Sequence, residues 1–366
     1  MKNPSPRRKT VAVASLLGAC ALILSACGSG ADAAGADGKI TFGVGAPVLI
    51  DSTAPYGSVP LELDYWKDAG LDVDIQPTQG ATASMQLLLA GKADIVNGGS
   101  SAFFQAAAKS PELRVISLQT KNIWQIVVPK GSATGSIESL KGKTIGVQSF
   151  SSASYLFGRA AVEASDLDAD KDVKWLSVGV GNQAAAAFKG GEIDAYATYD
   201  GPSGVVGSAL GEELVNLPTP LDDIPGLLGI ATTEKFLKEH RDLVVKFLIG
   251  LNKGAVFSGA NPAAALQIQW KAHPEQKPKG KSTQEAINAT LPSVASRFAL
   301  GDEPGASGEF GDVPADQVQS SIDFMAKYGI LAKTLDGSKI VDLSLSADSS
   351  KFDVDSIVGQ AKNWKP

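Results

Sequence analysis

An alanine-rich helical window followed by Leu89-Ala90-Gly91-Lys92-Ala93-Asp94-Ile95 recurs later as a second such window followed by Lys189-Gly190-Gly191-Glu192-Ile193-Asp194-Ala195. In each copy a glycine stops a helix and an acid introduces an apolar strand-like run. The copies lie about a hundred residues apart, far beyond the roughly 20–50 residues of a solenoid repeat. Two similar α/β lobes account for the echo. Ordinary helix–glycine–strand punctuation, met twice, is the plainer alternative.

The stretch between the copies fits α/β layers. Short β-branched runs alternate with helical windows from Lys39 onward, the pattern of largely parallel strands joined by helices. Expected strands include Ile40 to Val44, Leu71 to Ile75, Ala93 to Val96, Val115 to Leu118, Trp124 to Val128, Ile145 to Gln148, Val173 to Val178 and Ile193 to Thr198. Between them fall helices over Leu61 to Ala69, Ala81 to Ala90, Phe103 to Ala108, Ser151 to Ala164 and Asn182 to Lys189. After Leu227 to Ala231 the chain turns mostly helical, with windows ending at Lys327.

The first residues have another purpose. Lys2, Arg7, Arg8 and Lys9 precede the apolar run Val11 to Ile23, which is followed by Leu24-Ser25-Ala26-Cys27. Basic, then apolar, then small residues describe a secretory leader. The apolar run is also shorter than the roughly 20 residues of a membrane span. Leu-Ser-Ala-Cys looks like a bacterial lipobox, which implies acylation of Cys27 and cleavage after residue 26. Leu17-Gly18-Ala19-Cys20 is a weaker version, and a plain leader with an incidental cysteine is the alternative. Residues 27–38, rich in Gly, Ser, Ala and Asp, read as a flexible tether. Two acyl chains would hold a soluble domain on a bilayer where one holds it only marginally.

Past Cys27 there is no cysteine, which removes disulfides, thiol nucleophiles and thiolate metal sites from consideration. The 366-residue chain has 33 Lys and Arg against 39 Asp and Glu, and four of the cations lie in the leader. The remainder is therefore acidic by ten charges and shows no basic–aromatic cluster, so nucleic acid is not an expected partner. Later apolar stretches are interrupted by Gly, Lys or Asp, and no second membrane segment is expected.

Four landmarks occur in order: Gly91-Lys92-Ala93-Asp94 with Gly98-Gly99-Ser100-Ser101; Ser139-Leu140-Lys141-Gly142-Lys143-Thr144-Ile145-Gly146-Val147; Gly191-Glu192-Ile193-Asp194-Ala195 leading to Ala197-Thr198-Tyr199-Asp200; and Phe236-Leu237 through Arg241-Asp242-Leu243-Val244 and Phe247-Leu248 to Asn261-Pro262. Together they resemble solute-binding proteins of bacterial ABC importers, in the branch that takes nitrate, sulfonates, taurine and thiamine precursors. The resemblance implies a type II periplasmic-binding-protein fold: two α/β lobes, two crossing segments, and one small-molecule solute between them. It further implies a monomer on the outer face of the cell membrane, lipid-anchored and serving an ABC permease and its ATPase, with no cofactor. We expect lobe 1 over 39–127 and 226–366, lobe 2 over 132–221, and crossings near Val127 to Ser132 and Pro220 to Gly226.

Ligands of open α/β sheets bind beyond the carboxyl ends of the strands, where helix N-termini offer free N–H groups. That rule selects Ser52, Thr53 and Tyr56 after the first strand, Thr82 before the second helix, Ser100 and Ser101 after the glycine pair, and Ser151 and Ser152 at a serine-rich helix start. Each serine also suits a simple helix cap. Trp124, at the entry to the first crossing, could stack on a solute or pack beneath the hinge. Tyr199 and Asp200 end a strand; a carboxylate there favours a cation or N–H donors, or else Asp200 makes an Asx-turn. The chosen loops hold no Arg or Lys, which tilts the expectation toward a nitrogen-containing heterocycle, such as a thiamine-precursor-like pyrimidine, or an amino-bearing solute. Aliphatic sulfonate, taurine or nitrate is the alternative. The fold also resembles that of eukaryotic thiamine-pyrimidine synthases, which depend on histidine and iron. Here His240 and His273 are the only histidines, both outside the selected loops, and no HExxH or phosphate loop occurs. The expectation is a binder and not an enzyme, with a structural lipoprotein as the remaining possibility.

Overall fold

A computed structural model describes residues 38–119, 122–150, 152–225, 228–299, 304–305 and 307–366. Among the described residues ten strands form two five-stranded sheets. They are β1 (Lys39–Val44), β2 (Asp72–Pro77), β3 (Ile95–Gly99), β4 (Leu113–Leu118), β5 (Trp124–Pro129), β6 (Thr144–Val147), β7 (Lys174–Ser177), β8 (Ala195–Tyr199), β9 (Leu214–Asn216) and β10 (Leu228–Thr233). The first sheet has the order β2-β1-β3-β10-β4 and the second β7-β6-β8-β5-β9. Replacing β1, β2, β3, β10 and β4 by β6, β7, β8, β5 and β9 turns one order into the other. Each lobe is thus the same arrangement made twice.

The recurrent Asp explains part of that identity. Asp94 Oδ2 accepts from the Thr41 amide at 2.7 Å, and the Asp94 amide donates back to the Thr41 carbonyl at 2.9 Å. Asp194 repeats both bonds on Thr144, at 2.9 and 2.8 Å. In each lobe the acid locks the central strand to its parallel neighbour, and register matters because a slip of one residue would turn the apolar set outward.

The sheets are mixed where largely parallel strands were expected. β1 pairs in parallel with β2 and β3, and β6 with β7 and β8, but β10 and β5 run antiparallel to their neighbours. Both exceptions directly follow a crossing. A chain arriving from the other lobe enters at the carboxyl end of the parallel strands and can only run back along them. Because β5 belongs to the second sheet, the first crossing falls between Leu118 and Trp124, not at Val127 to Ser132. The return lies between Asn216 and Leu228.

The helices of the first lobe are α1 (Ser58–Glu62), α2 (Ala81–Leu89) and α3 (Ser100–Ala107); those of the second are α4 (Ala153–Ala164), α5 (Asn182–Lys189) and α6 (Asp200–Leu210). The single helix expected over Leu61 to Ala69 is broken. Asp64 adopts φ 57°, and the turn swings Trp66 inward to stack on Phe247 at 5.3 Å and donate to its carbonyl at 3.0 Å. The C-terminal part continues with α7 (Glu234–Glu239), α8 (Arg241–Ala260), α9 (Pro262–Ala272), α10 (Thr283–Ala299), α11 (Ala315–Lys327), α12 (Ser346–Ser349) and α13 (Val354–Asn363). Among the described residues α8 alone is long and apolar enough to cross a bilayer, contrary to the expectation of no further such segment. Its Val244, Phe247, Leu248, Leu251 and Phe257 are buried in the first lobe, so here it is a core helix.

A half-buried acid anchors the turn that follows β1. Asp51 Oδ1 accepts from Trp270 Nε1 at 2.9 Å, tying the 3-10 turn Asp51–Tyr56 to α9. Burial lifts the Asp51 carboxyl to about 6, with the Trp270 hydrogen bond pulling the other way. The folded state therefore holds this proton more tightly than the unfolded chain does. The resulting stabilisation is complete below the ordinary value of 3.8 and is lost as pH rises through about 6. Asp51→Asn keeps an acceptor for Trp270 and removes the charge. We expect it to stabilise the protein by on the order of 1–3 kcal/mol at pH 7.5 and to give no gain at pH 3.5. Urea denaturation at the two pH values checks this, and equal gains at both would refute the burial account.

Candidate ligand cleft

The carboxyl ends of the parallel strands in the two sheets face one cavity of about 370 Å³. That is within the usual size range of small-molecule sites. Each wall comes from a segment that the strand order puts there: Gly45, Ala46, Pro47 and Ile50 after β1, Gln79 to Ala83 after β2, Gly98 and Gly99 ending β3 with Ser101 and Ala102 beyond it, Gln148, Ser149, Ser152, Ala153 and Ser154 after β6, and Tyr199 at the end of β8. Ser52, Thr53, Tyr56, Thr82, Ser101, Trp124, Ser152 and Tyr199 all line it, brought together from six segments. Ser151 and Cys27 lie outside the described residues.

The cleft is rich in unengaged donors. α2 and α3 begin at Gly80 and Gly99 with no side-chain cap, so their first amides, left over by helix geometry, face this region. α4 differs, because Ser152 Oγ accepts from the Tyr155 amide at 3.3 Å and donates to the Ser149 carbonyl at 2.6 Å. Ser152 is thus both a helix cap and a cleft residue. Thr53 Oγ1 is likewise engaged, donating to the Ile50 carbonyl at 2.7 Å. Side-chain amides of Gln79, Gln86 and Gln148 complete a polar lining that the sequence reading did not select. Those of Asn97 and Gln105 line it too but are engaged, Asn97 Oδ1 accepting from the Gly45 amide at 3.0 Å and Gln105 Nε2 donating to the Ile330 carbonyl at 2.8 Å.

Two expectations change. Ser100 does not line the cavity; it is fully buried and its hydroxyl has no partner. The glycine pair before it lines the cavity and is also closely packed. A Cβ on Gly98 would stand 2.5 Å from the Cβ of Ala81, and one on Gly99 would stand 3.2 Å from the Trp124 ring. Trp124 is held correspondingly firmly, stacked on Phe157 at 4.8 Å and edge-on to Tyr199 at 5.8 Å. One face of the indole is therefore already taken, and it offers the cavity an apolar edge.

The larger change concerns charge. Asp200 is buried and does not line the cavity. Its Oδ2 accepts from Arg297 Nε at 2.8 Å and its Oδ1 from Arg297 Nη2 at 2.5 Å, while the Gly201 amide donates to Oδ1 at 2.9 Å. The carboxylate is thus committed within the protein. Arg297 comes from α10, far from every loop the sequence rule selected, and it does line the cleft. Among the described lining residues it is the only charged one. Burial opposes its charge, but the Asp200 carboxylate beside it more than compensates and holds the guanidinium protonated. It lies over the Tyr199 ring at 5.9 Å. Burial pushes the Tyr199 hydroxyl up to about 12 and raises that of Tyr56, against the pull of Arg297 on both. Both phenols therefore stay neutral at physiological pH. Neither histidine lines the cavity.

No curated protein matches this sequence. Solved structures do match the architecture. A protein from Bordetella bronchiseptica RB50 is 21% identical with a TM-score of 0.63, covering 85% of this chain and 96% of the other. The alkanesulfonate-binding protein SsuA from Xanthomonas axonopodis pv. citri, bound to MOPS, is 17% identical with a TM-score of 0.62 over 83% and 98%. The periplasmic nitrate-binding protein NrtA from Synechocystis PCC 6803 is 11% identical with a TM-score of 0.60 over 90% and 99%. The two-lobed architecture is the periplasmic-binding-protein fold. Residues 59–265, more than half of the chain, match the NMT1/THI5-like family, and the chain belongs to it.

Proposed function

We propose that the protein captures a small organic solute between its lobes and delivers it to the permease and ATPase of an ABC importer. In this reading it works as a monomer on the outer face of the cell membrane, held there by acylated Cys27. Residues 1–26 are its leader and 27–38 its tether. Similarity in fold to proteins described as alkanesulfonate-binding and nitrate-binding supports the transport role.

The observation that carries the solute class is the lining of the cleft: uncapped helix starts, amides and hydroxyls, one cationic group, and no carboxylate among its described residues. Such a surface favours acceptors on the solute. Because Asp200 is engaged by Arg297, the reason for preferring an amino-bearing solute disappears. A cavity of about 370 Å³ also far exceeds an inorganic oxyanion. We therefore favour an organic solute with an oxyanion end, of the alkanesulfonate or carboxylate kind. A planar pyrimidine is the second reading, supported by the Trp124 edge, the Tyr199 ring and the side-chain amides, which suit ring nitrogens and carbonyls.

Thermal-shift screening of the protein against alkanesulfonates, carboxylates, pyrimidines, nitrate and simple amines separates these readings. A true solute at 100 times its dissociation constant should stabilise by about 2.7 kcal/mol. We expect a shift with an organic anion and none with nitrate or with amines. A shift confined to pyrimidines would select the second reading, and one confined to amines would overturn both. For the anchor, Cys27→Ala should abolish fatty-acid labelling. Labelling that persists in the variant would move the anchor to Cys20.

A further inference from the structure

The Asp200–Arg297 pair spans the two lobes. Asp200 opens α6, whose Val206 packs with Val127 and Tyr196 in the second-lobe core. Arg297 is in the last turn of α10, whose Ala286, Ile287, Val294 and Phe298 pack with Ala54, Val59, Phe257 and Leu266 of the first lobe. Around the pair the lobes meet through small groups. A Cβ on Gly204 would stand 2.1 Å from the Cβ of Ser293, and one on Gly201 would stand 2.9 Å from Ser52 Oγ. The charged groups themselves are 5% and 3% exposed.

We propose that this pair is a closure latch and that Asp200 is a positioning residue, setting affinity without touching the solute. When the lobes are together, each charge is buried and each supplies what the other has lost from water. The two-pronged fork fixes one relative placement of α6 and α10, as a bidentate Arg–carboxylate pair does. Arg297 also hydrogen-bonds the Tyr56 side chain, so the fork ties that phenol to the same place on the cleft wall. Remove one partner and the other becomes an unpaired buried charge, which is strongly unfavourable, so the lobes should separate until water reaches it.

Two measurements on the full chain test the latch. The first needs no solute. Small-angle scattering of ligand-free Asp200→Asn should show a larger radius of gyration than the wild type, with circular dichroism unchanged. The second rests on the solute-binding reading. For each compound found by thermal shift, Asp200→Asn should weaken binding roughly 10- to 100-fold, mostly through faster dissociation. Neutral compounds should lose affinity too, since the latch acts on the placement of the lobes and not on the charge of the solute. Should Asp200→Asn fail to fold, Arg297→Lys keeps the cation but loses the fork, and the same readouts should shift in the same direction by a smaller factor. An unchanged ligand-free scattering curve would overturn the latch. So would an undiminished affinity for neutral compounds, which feel the placement of the lobes but not the charge freed on Arg297. If no compound binds at all, the transport reading fails while the scattering result still decides the latch.

Discussion

A chain that builds two sheets facing one gap must cross that gap, and the direction in which it lands decides much else. In both lobes the parallel strands end at the cleft, so an arriving segment has to run away from it. That is why β5 and β10 are antiparallel, and why their first residues, Trp124 and Leu228, line the cavity. The same geometry gathers the loops after β1, β2, β3, β6 and β8 around a single space. Helix starts then face it from both sides as a consequence of topology.

The charge balance of the cleft follows from burial. An isolated guanidinium at the position of Arg297 would be too costly to keep, and an isolated carboxylate at Asp200 equally so. Together they make a neutral unit that leaves part of the guanidinium directed at the cavity. The cleft can then offer a cationic donor set without the instability of an unpaired charge. Tyr56 and Tyr199, kept neutral by burial, add donors that do not repel an anion.

Much of this could be read from the residues alone. The paired Gly–x–x–Asp segments mark equivalent places in two lobes because the acid does the same work in each, locking Thr41 and Thr144 in register. The cleft loops follow from strand ends and helix starts, which is why most of the selected hydroxyl residues do line the cavity. Asp200 was visible but its partner was not. Arg297 lies in a C-terminal helix to which no strand-end rule points, and a cation in the last turn of a helix is ordinarily accounted for by the helix dipole. A better signal was present: Ile287, Thr290, Val294 and Arg297 share one helical face, and the first three are buried. A charge continuing an apolar stripe needs a buried partner. The strand direction of β5 had no such local signature, since antiparallel and parallel runs have the same side-chain alternation.

The composition of α6 shows what the interlobe surface is built to do. Gly201, Gly204 and Gly207 each weaken the helix by about 1 kcal/mol relative to alanine, and Pro202 is tolerated because it falls in the first turn. The missing side chain at Gly204 lets Ser293 of α10 sit against it and that at Gly201 admits Ser52, while Arg297 reaches Asp200 at the same surface. Gly207 packs instead on Glu212 and Leu214 of its own lobe. Contacts made by glycine and serine remove little apolar surface from water, so the hydrophobic contribution to holding α6 on α10 is small. Larger apolar residues would strengthen the contact and make the closed form permanent. With small residues the balance between closed and open is left to the ion pair and to whatever fills the cavity. The proposed transport role, which needs a solute both held and released, requires such a balance.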